Sequence, residues 1–319
     1  MGIVYIPNGY IREWRSKKAK NPVPIGPLVG QRVLLYGFSP VTETNAPTDE
    51  QLVEGARAGD RLALERLLER HERRVYRFGL KMCRDPEAAK DVLQETLIAA
   101  ARTVKDFRGA SSPSTWLYAI ARSFCIKQRR RSKFAPEQEE SMDALETGRE
   151  ARAIADPGRS PDDALHGKQL EGALERAIAS LEPMYREVLL LRDVEGLPAS
   201  EVAEAVGISV EAVKSRLHRA RVAVREQVAP LLGTEPQAPF PEACPEVVSL
   251  FSRHLEGEIS APVCEEMERH LAACPRCRER CATLQQTLSS CARTPLPEVP
   301  APVQHEVRRA LRQFLERTT

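Results

Sequence analysis

Aromatic side chains are scarce in this 319-residue chain, only 5% of positions. Sheets draw on aromatic and β-branched residues. The scarcity, beside 29% charged residues, argues for helices with solvated faces and an all-α fold. Net charge is lacking too: 47 basic residues against 45 acidic ones leave +2, which identifies no partner until it is divided by region. Long hydrophobic runs are absent. No stretch approaches the ~18–20 apolar residues that a membrane-spanning helix needs. The first residues hold no compact apolar segment with a small-residue cleavage site. The sequence therefore reads as cytoplasmic, with no membrane partner. An H-E-x-x-H motif is also missing, and the clustered thiols are too many for an open catalytic zinc site. Both absences favour a protein that performs no chemistry of its own.

Prolines, by contrast, number 24, and many fall between periodic stretches, where they mark out modules. Residues 1–46 carry Pro7, Pro22, Pro24, Pro27 and Pro40 without helical periodicity. They read as a disordered leader, or as upstream sequence attached by a misassigned start. Residues 49–133 form a first helical block, with apolar positions at Leu52, Val53, Ala56, Leu64, Leu67, Leu68, Val75 and Phe78. Asp85 and Pro86 suit the N-cap and first position of a helix that runs to about Val104, and a later helix is entered at Ser114 or Thr115. Residues 134–168 lose periodicity, carry many acids with Pro136, Pro157 and Pro161, and read as a solvated linker. A second helical block spans 169–232. A Cys-rich segment follows at 240–293, then a linker and a last amphipathic helix within 294–319. The whole reads as helical modules on flexible links.

Residues 197–221 have the pattern of a helix-turn-helix. Ser200 is a candidate cap, Gly207 sits where the turn needs positive φ, Ser209 caps the next helix, and Val213 and Leu217 form its buried stripe. The opposite face carries Lys214, Arg216, His218, Arg219 and Arg221 against Glu211. Such a helix can enter a major groove, its N-terminal residues reading bases while arginines hold phosphates. The blander reading is a packed hairpin with a solvated basic face.

Two stretches in the first block are also distinctive. Asp91, Gln94 and Glu95 share one helix face, either a docking stripe or an ordinary solvated face. Trp116 and Tyr118 stand near Arg122, Lys127, Arg129, Arg130, Arg131 and Lys133. Aromatic platforms beside cations suit an unpaired DNA strand, although Trp116 also fits a core position and the cations a solubilising helix end.

Taken in order, these stretches resemble the extracytoplasmic-function group of the sigma-70 family. AAKDVLQETL (Ala88–Leu97) resembles its region 2.2, TWLYAIAR (Thr115–Arg122) its region 2.4, and Leu181–Arg221 its regions 4.1 and 4.2; the likeness covers Asp49–Leu232. The resemblance implies a transcription-initiation factor whose partners are core RNA polymerase, through its β′ and β subunits, and promoter DNA. It implies that Asp91, Gln94 and Glu95 grip the β′ clamp. It places Arg108, Ser114, Trp116, Tyr118, Arg122, Lys127 and Arg130 at the melted −10 element. Ser209, Val210, Glu211, Lys214, Ser215, Arg216, His218 and Arg219 fall at the −35 element. The competing class is a metal-sensing repressor or activator that binds duplex DNA without polymerase. Such a protein has no use for the Asp91–Glu95 stripe.

The tail contributes H-x3-C-x2-C at His270, Cys274 and Cys277. Two thiolates, one imidazole and a fourth ligand complete a tetrahedral zinc site, Cys244 being the first candidate for that ligand and Cys264 the second. The segment resembles the zinc-binding anti-sigma domain, with matching positions Cys244, His270, Cys274 and Cys277. Cys264, Cys281 and Cys291 are in surplus, which suggests sensing of a soft ion: zinc, copper or cadmium. Sigma factors with such a tail form a metal-responsive subgroup typified by copper-dependent members, and this chain resembles them. It lacks a Cys-x-Cys pair, so nothing favours copper over the others. A thiol redox switch and a purely structural zinc knuckle are the alternatives. Cys83 and Cys125 lie in helical stretches and read as small buried hydrophobes.

Overall fold

The computed structural model describes residues 46–134, 161–233 and 244–317. The expected leader, apart from its final residue, and most of the acidic linker lie outside them. Among the described residues every regular element is helical, and no helix is long and apolar enough to cross a membrane.

The first block folds as α1 (Asp49–Arg57), α2 (Arg61–Cys83), α3 (Pro86–Thr103) and α4 (Pro113–Phe134). Short acidic caps set the boundaries. Asp60 accepts from the Leu62 and Ala63 amides, and Asp85 accepts from the Glu87 amide with Pro86 opening α3. Each such cap is worth about 1 kcal/mol. Ser112 Oγ accepts from the Thr115 amide, so α4 begins slightly before the Ser114 or Thr115 start read from sequence. Phe78, Leu93, Leu97, Leu117 and Ala121 fill the space between these helices.

The second block is α5 (Pro161–Ser180), α6 (Pro183–Leu189), α7 (Ala199–Val206) and α8 (Val210–Val228). Helix α5 starts earlier than expected, so residues 161–168 are helical rather than linker. Pro161 was read as a breaker, yet proline is well tolerated in a helix's first turn, where its missing N–H costs nothing. Helix α6 runs on into a π-turn at Leu190–Val194. Helix α7 follows Pro198 without a side-chain cap. Ser200 therefore lies inside the first turn and does not cap it, because Pro198 already fixes the helix entry. Gly207 closes α7 at φ 74°, and Ser209 caps α8 through the Ala212 amide. Val213 and Leu217 are fully buried.

The tail forms α9 (Val247–Leu255), α10 (Ala261–Ala273), α11 (Pro275–Ala292) and α12 (Ala301–Arg317). Helices α9–α11 enclose a small core of Val247, Val248, Met267, Cys277, Cys281 and Leu284, with Val222 of α8 packed against it. Helix α12 lies along α3 and sends Val307 and Leu311 into the main core, which also takes Cys291 and Val299. Burying side chains of that size contributes roughly 1.5–3 kcal/mol apiece. The modules are consequently not separate beads: Asp49–Thr319 forms one compact unit. Apolar positions that periodicity assigns to a block's own interior are shared between blocks.

Candidate DNA, polymerase and metal surfaces

Helix α3 turns Val92, Leu93 and Leu97 inward, leaving Asp91 and Glu95 exposed and Gln94 half-buried. Asp91 accepts from Gln128 Nε2 at 2.9 Å. The same helix is flanked by α12. Lys90 meets Glu306 at 2.9 Å, and Arg102 lies over the Phe314 ring, 5.4 Å from its centroid. Arg308 of α12 bridges Glu69 and Glu72 of α2 at 2.8 and 3.2 Å. Arg73 donates to the Leu296 and Pro297 carbonyls just before α12.

At the head of α4 the half-buried Trp116 packs on Phe107 with centroids 4.9 Å apart. The two rings border a shallow cavity of about 240 Å³ with Thr103, Asp106, Arg108 and Ser111. Arg108 is exposed and Ser114 half-buried beside it, while Lys127 and Arg130 are exposed further along. Tyr118 is different. Its ring is 2% exposed, and its hydroxyl donates to Glu195 Oε2 at 2.6 Å. Burial and the Glu195 charge hold that phenol well above its usual pKa. Tyr118, read from sequence as a nucleic-acid platform, is thus enclosed between the first and second blocks. Arg122 is likewise engaged, donating to Glu187 at 2.8 and 3.3 Å.

The seam between the blocks is polar and buried. Arg77 donates to both oxygens of Glu195 at 2.8 and 2.6 Å. Ser112 and Thr115 donate to Glu201 Oε2. Arg186 reaches from α6 to the Met82 carbonyl of α2 at 3.2 Å.

The basic face of α8 is covered rather than free. Lys214 faces Glu258 at 3.8 Å, and Arg216 faces Glu187 at 3.5 Å. Arg219 donates to the Tyr185 hydroxyl. His218 is half-buried, and burial lowers its pKa. Arg221, expected on the open face, is 2% exposed and donates to Asp193 at 2.9 and 2.6 Å and to Glu256 at 2.7 Å. The odd position of Arg221, one turn past Leu217, puts it on the side that meets the tail. Glu211 and Ser215 are exposed, Val210 half-buried, and Ser209 is spent as the cap. Sequence reasoning missed Glu187, Glu195, Glu256 and Glu258. Each is an unremarkable acid in sequence, and only packing opposes it to an arginine or lysine.

In the tail, Cys244, His270, Cys274 and Cys277 converge, their ligand atoms all within 4.8 Å of one another. Cys274 ends α10 and Pro275 opens α11, so the sharp helix–helix corner aims both knuckle sulfurs at one point. The backbone amide of Cys277 lowers the Cys274 pKa, while burial pushes the Cys277 thiol up to about 12. His270 Nε2 is buried without a hydrogen-bond partner, a cost of about 1–3 kcal/mol that coordination would remove. Three thiols and one imidazole suit a closed, four-coordinate zinc centre. The other expected ligands stand apart from this group. Cys281 is buried toward the Val247 carbonyl at 3.8 Å, and Cys291 is enclosed in the main core. Cys264 lies 3.6 Å from His254 Nδ1. Cys83 and Cys125 touch, sulfur to sulfur, at 3.6 Å in the first block.

Three family models match the chain: sigma-70 region 2 over residues 67–134, sigma-70 region 4 over 171–224, and a zinc finger over 244–278. The RNA polymerase sigma-H factor of Pseudomonas aeruginosa is 31% identical over 188 residues, 58% of this chain and 95% of that protein. The ECF RNA polymerase sigma-E factor of Escherichia coli K12 is 31% identical over 189 residues, 58% of this chain and 96% of that protein. Among solved structures, CnrH in complex with the cytosolic domain of CnrY matches with TM-score 0.42 and 22% identity. That match covers 57% of this chain and 97% of the other.

Proposed function

The chain belongs to the sigma-70 family, as an extracytoplasmic-function RNA polymerase sigma factor with a C-terminal zinc-finger domain, and from that premise we propose that its tail is a built-in inhibitor gated by a metal ion. One observation carries the reading. The tail touches both working surfaces at once, α12 along α3 and the α9–α10 loop on α8 through Glu256 and Glu258.

In the active form, Asp91, Gln94 and Glu95 grip the polymerase β′ subunit. Arg108, Ser114, Trp116, Tyr118, Arg122, Lys127 and Arg130 serve the −10 strand. Ser209, Val210, Glu211, Lys214, Ser215, Arg216, His218 and Arg219 serve the −35 duplex. In the arrangement described here those tasks conflict with internal contacts. Tyr118, Arg122, Lys214 and Arg216 are occupied by the chain's own carboxylates. A phosphate must therefore displace an internal acid before it can bind. Cys244, His270, Cys274 and Cys277 would hold zinc or another soft ion such as cadmium or copper, which when bound fixes the α10–α11 corner. The residues around that corner then set how firmly the α9–α10 loop rests on α8. A ligand that prefers one of two states shifts their populations by its difference in affinity, and about 1.4 kcal/mol suffices for a tenfold change.

Run-off transcription with core enzyme and the purified full-length chain, across zinc, cadmium and copper, tests the proposal. Wild type should give a promoter-specific transcript whose yield depends on metal. Cys274→Ser/Cys277→Ser should keep the promoter and lose the dependence. A double variant that responds like wild type removes the gate, and no promoter-specific transcript under any condition removes the initiation role.

A further inference from the structure

The surplus thiol Cys264 belongs to a second constellation, outside the four-ligand group. It lies on α10, and Glu268 follows one turn later on the same face, its Oε1 3.8 Å from the sulfur. His254, in the last turn of α9, brings Nδ1 to 3.6 Å from that sulfur. The imidazole stacks on Phe251 with ring centroids 6.5 Å apart and planes at 25°, which limits its rotation. Tetrahedral zinc sits about 2.3 Å from sulfur and about 2.0–2.1 Å from nitrogen or oxygen, which separates two of its ligands by about 3.5–3.6 Å. The observed sulfur–nitrogen spacing matches that separation, and the sulfur–oxygen spacing exceeds it by a small rotation of Glu268. His270 lies about 9 Å further along the axis of α10, so one ion cannot serve both groups.

We propose that Cys264, His254 and Glu268 form a second metal site, for a borderline-to-soft divalent cation such as Zn²⁺ or Cd²⁺, with solvent completing its coordination. Binding transfers the Cys264 thiol proton to solvent and leaves a thiolate, an imidazole and a carboxylate around the ion. Cys264 is half-buried, and His254 and Glu268 are exposed. The site therefore exchanges its ion with solvent, unlike the group built on the buried Cys277.

The position gives it a consequence. Residues 255–260 connect its ligands on α9 and α10, and they carry the two acids that hold α8. Glu256 accepts from Arg221 and Arg192 at 2.7 and 3.3 Å, and Glu258 faces Lys214 at 3.8 Å. An ion joining His254 to Cys264 ties both ends of this loop together and stiffens the loop against the DNA-reading helix. This coupling rests on the proposed gating role of the tail; the site itself does not.

Co²⁺ titration of the reduced full-length chain, followed by its visible and charge-transfer absorption, tests the site. Two equivalents should bind, the first with the strong absorption of several thiolates and the second with that of one. Cys264→Ala should remove the second equivalent alone, and His254→Ala should weaken it at least tenfold, with the first equivalent unchanged in each. Retention of the first equivalent's spectrum shows that each variant has folded. A single equivalent in wild type, or a second that survives both substitutions, overturns the site. Hydrogen exchange then tests the coupling. The second equivalent should slow exchange across residues 255–260 in wild type and not in Cys264→Ala. Unchanged exchange on binding overturns the coupling while leaving the site standing. Neither measurement depends on transcription, so failure of the gate and failure of the site are distinguishable.

Discussion

At the scale of single residues, the outcome depended on whether a side chain's partner was local. Asp60, Asp85 and Ser209 cap helices two or three residues away, and such caps are legible in sequence because the partner amide is fixed by the helix itself. Tyr118 and Arg221 were read as facing nucleic acid, and both are buried on distant carboxylates, Glu195 for the first, Asp193 and Glu256 for the second. Nothing near them in sequence signals that burial. Asp49 shows the same dependence on distance and yields a pH effect. His71 Nε2 lies 2.8 Å from its carboxylate and Arg70 lies 2.6 Å away. The hydrogen bond to His71, ahead of the arginine, holds Asp49 down to about 2. A folded-state pKa below the ordinary value near 3.9 means that the contribution to stability is present above that value and is lost as pH falls toward about 2. Urea unfolding at a series of pH values should show Asp49→Asn less stable than wild type at neutral pH. The gap should close between about pH 4 and 2. A gap that is constant across that range would assign the effect to packing.

At the scale of elements, existence and type were legible throughout the described residues, and positions were not. Amphipathic spacing announces α2, α8 and α12 without saying what each apolar stripe faces. For α12 the answer is α3 and the main core, through Val307 and Leu311, with Lys90–Glu306 and Arg308–Glu72 fixing the register. Core truncations of this kind cost about 2–5 kcal/mol for leucine. Leu311→Ala should therefore release α12 from α3 without unfolding α3, whose other faces pack on α2 and α4. Hydrogen exchange should quicken in α12 more than in α3, and core-polymerase affinity should rise, as read by surface plasmon resonance or fluorescence anisotropy. Unchanged affinity together with a freed α12 would show that the helix does not mask the polymerase surface.

At the scale of the whole molecule, the seam between the first two blocks decides which state the chain occupies. Arg77, Tyr118 and Glu195 meet there in a buried cluster. Removing one member of a buried pair leaves the other charge uncompensated, at about 3–5 kcal/mol. Because Arg77 can regain water by opening the seam, Glu195→Ala should be expressed as separation of the blocks before it is expressed as unfolding. Small-angle scattering should report a larger radius of gyration at unchanged helical content. Loss of helix with no expansion would place the pair's role within one block.

The sequence by itself determined the all-α class, the helix-turn-helix, the two polymerase- and promoter-related blocks, and the H-x3-C-x2-C knuckle. These are local properties: periodicity, capping, a positive-φ glycine, and ligands one turn apart on a helix. Tertiary structure alone decided that Cys244 joins the knuckle while Cys281 and Cys291 go to the cores. It alone opposed Glu187, Glu256 and Glu258 to the cations of α8, and laid α12 on α3. Those outcomes rest on pairings between residues up to 239 positions apart, as in Arg308 with Glu69. A charge or an apolar stripe states what kind of partner it needs, and the closing of the chain determines which one it meets.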